Sequence, residues 1–177
     1  FLYAGPPGVG KTSLAEAFAE EISRVKGSKY QYKRFNMSEY GDKEAPQRFA
    51  GSTAVFTNAA PSVVTSFVSK NPQSVLLFDE IEKAHYNVLT LLYQILDEGF
   101  LEDGNTLEKV PFKDTYVIFT SNAGKQFYEE YVNGDFSDVA TKTIVRALEK
   151  DKHPETKEPF FPSALCSRIA QGNVVMF

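Results

Sequence analysis

Near its start the chain reads Gly5-Pro6-Pro7-Gly8-Val9-Gly10-Lys11-Thr12. This run satisfies G-x-x-x-x-G-K-[ST] at every fixed position, and it limits the fold more than any other feature. The apolar stretch Phe1 to Ala4 precedes it. Leu14, Phe18, Ile22 and Val25 follow at helical spacing, so the loop joins a buried strand to an amphipathic helix from Ser13 to about Val25. Glycines let successive N–H groups curl around phosphate oxygens, and the helix N-terminus adds a positive dipole end. Lys11 can neutralise β- and γ-phosphates, and the Thr12 hydroxyl can ligate Mg²⁺. The pattern predicts uptake of a nucleoside triphosphate, ATP with Mg²⁺, on residues Gly5 to Thr12.

A second motif supports the first. Ser74 to Phe78 is a continuous apolar run of strand length ending in Asp79-Glu80. Continuous hydrophobicity predicts a strand covered on both faces, and ligands bind at the carboxyl ends of such strands. Asp79 would hold the Mg²⁺ shell, and Glu80 would polarise the attacking water as general base. Tyr116 to Thr120 is a further apolar strand, followed by Ser121-Asn122. Asn122 can orient the water, touch the γ-phosphate or simply cap a turn, and the residues alone leave these open. Arg168 reads by composition as a surface arginine. His85 lies past the acidic pair on the way into a helix and reads as structural, and His153 sits in a charged loop.

The rest of the chain alternates in the same way. Tyr30 to Met37 reads as a strand, Ser38 to Gly51 holds a short helix, and Pro61 to Ser69 is another. Val88, Leu92, Ile95 and Leu96 mark a helix that stops at Gly99. Phe100 to Phe112 reads as a hairpin-like excursion. Ser137 is expected to cap a helix using Val139, Ala140, Thr143, Ile144, Ala147 and Leu148. Asp151 to Pro159 is a loop, and Val174 to Phe177 a last strand. Strands alternating with helices predict a parallel sheet with helices on both faces.

Composition excludes some functions. The formal charge of -4 disfavours a nucleic-acid partner. Its nearest basic cluster, Lys26, Lys29, Lys33 and Arg34, reads as a solvated helix end and loop. No apolar run approaches the roughly 18 residues that span a bilayer. A single cysteine, Cys166, forms no internal disulfide and suits a reducing, cytoplasmic setting. The chain opens on Phe1 in a strand and closes on another strand, so both ends read as cut.

Taken together, the chain resembles the large nucleotide-binding subdomain of AAA+ ATPases, and within them the second ring of Clp-type unfoldases and disaggregases. The most specific stretches are Asn36-Met37-Ser38-Glu39-Tyr40, Leu77-Phe78-Asp79-Glu80-Ile81-Glu82-Lys83-Ala84-His85, Leu96-Asp97-Glu98-Gly99 and Thr120-Ser121-Asn122. The resemblance implies a three-layer α/β P-loop NTPase fold, a mainly parallel sheet flanked by helices, with residues 1–177 forming one large subdomain and the small helical lid outside it. It makes Asn122 the polar sensor, on a strand between the phosphate loop and the acidic strand. It makes Arg168 the arginine finger that reaches a neighbouring subunit's nucleotide. It implies a homo-oligomeric ring, six subunits as a rule, that threads a polypeptide substrate, and it leaves a protease partner open.

Two stretches depart from the family pattern. The substrate-gripping loop, normally Gly-aromatic-Val-Gly, is matched by Gly51-Ser52-Thr53-Ala54-Val55-Phe56-Thr57, where Phe56 is the aromatic candidate. The finger segment has Ser163, Ala164 and Leu165 after its proline instead of an acidic-aromatic pair. The altered loop motivates a second expectation, a nucleotide-dependent assembly or scaffold module without threading.

Overall fold

Val75-Leu76-Leu77-Phe78 carries no polar side chain, so a strand built from it must be covered on both faces. In the computed structural model, which describes residues 1–52, 62–124, 127, 129, 141–152 and 159–177, that strand is Ser74–Asp79 (β3) and every residue in it is buried. It lies inside a five-stranded sheet with Leu2–Ala4 (β1), Gln31–Asn36 (β2), Thr115–Ser121 (β6) and Val174–Met176 (β7), ordered β2-β3-β6-β1-β7. Every pairing in this sheet is parallel. Parallel neighbours need crossovers, and the helices supply them.

Period-two alternation divides the core. Tyr3, Val75, Leu77 and Ile118 face Ala15 and Ala19 of Lys11–Lys26 (α1). Leu2, Leu76, Phe78 and Phe119 face the other way, into a cluster with Ala45–Ala50 (α2), Val63–Lys70 (α3), Tyr86–Glu98 (α4), Thr141–Lys150 (α5) and Ser163–Ile169 (α6). The result is the expected three-layer α/β arrangement. On the second face Phe35, Phe78 and Phe119 stand in register on β2, β3 and β6. Their ring centroids are 5.3 and 5.8 Å apart. Full burial of each ring contributes about 2–3 kcal/mol, and the paired rings add roughly 0.5–1.5 kcal/mol. This ladder locks three strand ends level with one another.

Helix α4 starts two residues before its first predicted apolar position because the His85 Nδ1 accepts the Asn87 N–H at 3.2 Å, capping the N-terminus. His85 is thus structural, as its position in the sequence suggested. The helix ends at Gly99, in the left-handed conformation (φ 73°). Phe100–Glu102 (β4) and Lys109–Pro111 (β5) form the expected antiparallel hairpin.

Some expectations need correction. The buried face of α5 is Ile144, Val145 and Leu148, with Ala147 packed beside them, and Thr143 is exposed: the stripe keeps the predicted Ile144, Ala147 and Leu148 and takes Val145 in place of Thr143. Ser137, Val139 and Ala140 lie outside the described residues. Helix α6 was not foreseen. It is only two turns long, and its signal is Leu165, Cys166 and Ile169, all buried, behind Pro162.

The hairpin tip is fixed against the end of α2. The Asp103 carboxylate accepts the Thr65 hydroxyl and the N–H groups of Asn105 and Thr106, and the Gly104 N–H donates to the Ala50 carbonyl at 2.7 Å. A Cβ on Gly104 would lie 2.7 Å from the Gly51 carbonyl carbon. Backbone meets backbone there, so neither side can yield cheaply. Gly104→Ala should therefore cost about 1–3 kcal/mol, read as a lower urea midpoint at unchanged slope.

Candidate nucleotide site

The aromatic ladder sets where the polar residues emerge. One residue beyond Phe35, Phe78 and Phe119 come Asn36, Asp79 and Thr120, turned to the opposite face at the carboxyl edge of the sheet. Strand β6 lies between β1 and β3, so the loop leaving β1, the acids leaving β3 and Asn122 beyond β6 are neighbours. They line a cleft of about 410 Å³ that includes Gly8, Lys11, Thr12, Asp79, Glu80 and Asn122.

The loop holds its shape through backbone conformation. Gly8 and Gly10 have φ of 81° and 97°, and a Cβ on either would meet nothing within 4 Å. Their lack of a side chain therefore serves the left-handed backbone and leaves the N–H groups open to a ligand. Gly5 differs, since a Cβ there would fall 2.8 Å from the Phe177 carbonyl oxygen.

Lys11 is 7% exposed. Its ammonium donates to the carbonyls of Gly5 at 2.7 Å and Pro6 at 2.8 Å, and to Asn122 Oδ1 at 2.8 Å. Burial pulls its pKa below the ordinary value, against the raising influence of Glu82, Asp79 and Glu80. An incoming phosphate adds negative charge and favours the ammonium form further.

Asp79 is the most connected acid in the cleft. Its Oδ1 accepts hydroxyls from Thr12 at 3.3 Å and from Thr120, and its Oδ2 pairs with Arg34 at 2.5 Å. Glu80 follows in the left-handed region at φ 57°, which costs a non-glycine residue on the order of 1 kcal/mol. Its N–H donates to Thr120 Oγ1 at 2.9 Å, and its carboxylate accepts from Asn122 Nδ2 at 3.2 Å and Lys83 Nζ at 2.6 Å. The strained backbone aims the carboxylate into the cleft.

Hard oxygen donors from Thr12 and Asp79 stand side by side, which fits magnesium. No group of three or more His, Cys, Asp or Glu able to hold a metal is present among the described residues. An ion bound here would complete its shell with phosphate oxygens and water, as Mg²⁺ commonly does.

Three residues of this site escaped the sequence reading. Arg34 belongs to the cleft and not to a solvated basic cluster. Glu82 is buried and accepts the Ser121 hydroxyl at 2.9 Å and the Asn122 N–H at 3.1 Å, which fixes where Asn122 points. Thr120 links Asp79 to Glu80. Glu82 and Thr120 sit inside quoted motifs, but nothing in their spacing shows that they bond across strands. Arg168 does not line the cleft. It sits on α6, paired with Asp97 on α4 and donating to Gln171 at 3.2 Å. Phe56 and His153 lie outside the described residues.

Similarity to known proteins agrees with this geometry. The model of the family described as AAA domain (Cdc48 subfamily) matches residues 1–171. The ATP-dependent Clp protease ATP-binding subunit ClpL of Staphylococcus aureus (strain MRSA252) is 41% identical over 157 residues, 88% of this chain and 21% of the relative. The ClpL of strain USA300 gives the same figures. The chain thus spans about a fifth of the length of the curated relatives it matches. A closed-state cryo-EM reconstruction of Hsp104 with ATPγS and FITC casein superposes with a TM-score of 0.80 at 29% identity, over all of this chain and 28% of that one. The extended S. cerevisiae Hsp104:casein complex gives 0.78 at the same identity and coverage. The chain belongs to the AAA domain (Cdc48 subfamily) family, in the Clp-type branch of the AAA+ ATPases.

Proposed function

We propose that this chain is the ATP-hydrolysing module of a Clp-type protein-remodelling machine. The observation that carries the reading is the convergence of Lys11, Thr12, Asp79, Glu80 and Asn122 on one cleft. The loop from Gly5 to Thr12 would cradle the phosphates on backbone N–H groups. Lys11 would exchange carbonyl partners for a phosphate oxygen and absorb the charge that grows there. A bound Mg²⁺, held through Thr12 and Asp79, would neutralise β- and γ-phosphate charge. Glu80 would orient a water and take its proton. Asn122 bonds both Lys11 and Glu80, so it is suited to report on the γ-phosphate.

Arg168 is the finger in this reading, acting on the nucleotide of a neighbouring subunit in a homo-oligomeric ring, with six subunits proposed from the family. Its absence from the lining of its own cleft supports that role. A polypeptide substrate is proposed because the Hsp104 structures that match this chain carry casein, with Phe56 the aromatic candidate for contact. The same likeness weighs against a scaffold without threading. Cys166 is buried, with its thiol pushed up to about 12, and fits a reducing compartment such as the cytoplasm.

Four variants of the intact protein test these roles. Glu80→Gln should lower ATP turnover by roughly 10²–10⁴-fold while calorimetric uptake of Mg²⁺-ATP persists, and equal turnover would remove Glu80 from the chemistry. Lys11→Ala should abolish that uptake. Arg168→Ala should keep nucleotide binding and lose roughly 10³-fold in turnover, with wild-type turnover per chain rising with concentration as subunits assemble. Glu82→Ala takes the acceptor from the Ser121 O–H and the Asn122 N–H, so it should cost about 1–3 kcal/mol in thermal unfolding and lower kcat more than it weakens ATP binding.

A further inference from the structure

We infer that Arg34 is the protein's own counter-ion for Asp79, exchanged when Mg²⁺ engages that carboxylate, and that it thereby sets the Mg²⁺ concentration at which the site loads. The inference rests on the nucleotide-site reading above and adds a residue that reading does not use.

The argument starts from the electrostatics of Asp79. Its side chain is 6% exposed, and a buried carboxylate without a compensating charge is costly. The hydroxyls of Thr12 and Thr120 occupy Oδ1, but they are neutral. Lys11 spends its three donors on Gly5, Pro6 and Asn122, and Lys83 is paired with Glu80. The guanidinium of Arg34, 2.5 Å from Oδ2, is the cation in direct contact with Asp79 among the described residues.

The sheet makes this contact possible. Arg34 stands opposite Leu77 and Asn36 opposite Asp79. Residues 34, 36, 77 and 79 therefore share one face, and Arg34 sits two positions short of the acid, roughly 6.6 Å along the strand. A fully extended arginine spans that gap, and its planar fork presents donors to a carboxylate. Lys33, one position away, faces the opposite side of the sheet.

A guanidinium against Oδ2 and a divalent cation drawing on the same carboxylate repel each other. Magnesium also demands near-octahedral oxygens with little tolerance for crowding. Arg34 is able to leave: its side chain is 49% exposed at the rim of the cleft, so it swings outward through its own torsions with no change in β2. The site then exchanges one cation for another and Asp79 is never left uncompensated.

The test compares wild type, Arg34→Gln and Arg34→Lys in the intact protein, using Mg²⁺ titrations against a fluorescent ATP analogue and thermal melts in EDTA. Arg34→Gln should bring the Mg²⁺ midpoint down by roughly fivefold, the scale of a half-exposed ion pair. It should also melt lower than wild type in EDTA and gain more from added Mg²⁺-ATP. Arg34→Lys, which keeps the charge with a shorter reach, should fall between the two. A midpoint in Arg34→Gln that is unchanged or raised overturns the inference, as does weaker analogue binding in EDTA, which would make Arg34 a phosphate ligand. If the wild type takes up no Mg²⁺-ATP, the nucleotide-site reading fails with it; if only the variants disagree, that reading stands and the role of Arg34 falls.

Discussion

The whole site is arranged around one buried carboxylate. Asp79 ends β3, and its two oxygens reach α1 through Thr12, β6 through Thr120 and β2 through Arg34. Each of these partners comes from a different segment, so Asp79 links the start of α1 to three strands of the sheet. Its burial makes the bonds strong, because water does not compete for them. The same burial makes a missing partner expensive.

From Asp79 the order passes outward in a continuous network. Thr120 bonds both Asp79 and the N–H of Glu80. That second bond helps hold Glu80 in a backbone conformation it would not choose alone. Glu80 shares Asn122 with Lys11, and Glu82 fixes Asn122 from behind through its N–H and through Ser121. Lys11, Glu80 and Asn122 are thus neighbours in one hydrogen-bonded chain. Lys11 and Glu80 are joined through a single amide side chain.

The opposite face of the sheet does quieter work. The Phe35–Phe78–Phe119 ladder keeps three strand ends level, and a slip of one residue would turn Asp79 into the apolar layer. Farther from the cleft, the tip of the β4–β5 hairpin docks on Gly51 and, through Thr65, on the start of α3. Gly51 and Ser62 flank residues 53–61, so both flanks rest on the same hairpin through Asn105, Gly104 and the Ser62–Thr65–Asp103 hydroxyl and carboxyl contacts.

What the sequence determined by itself was the chemistry at fixed spacing. The glycine-rich loop between strand and helix, the acidic strand end, the parallel α/β alternation and the Gly99 stop were all legible, because each depends on residues adjacent in the chain or repeating at 2 or 3.6. His85 was legible as structural for the same reason: its cap bond is to Asn87, two residues away. The tertiary structure alone decided the partners that meet across strands. Arg34 looked like one charge in a solvated cluster until the β2–β3 register brought it to Asp79, 45 positions further along the chain. Glu82 and Thr120 gained their roles only when β6 came to lie beside β3, and α6 formed because Leu165, Cys166 and Ile169 found a surface on α4 and α5 to cover. Local spacing encodes which groups are present, whereas long-range packing decides which of them touch.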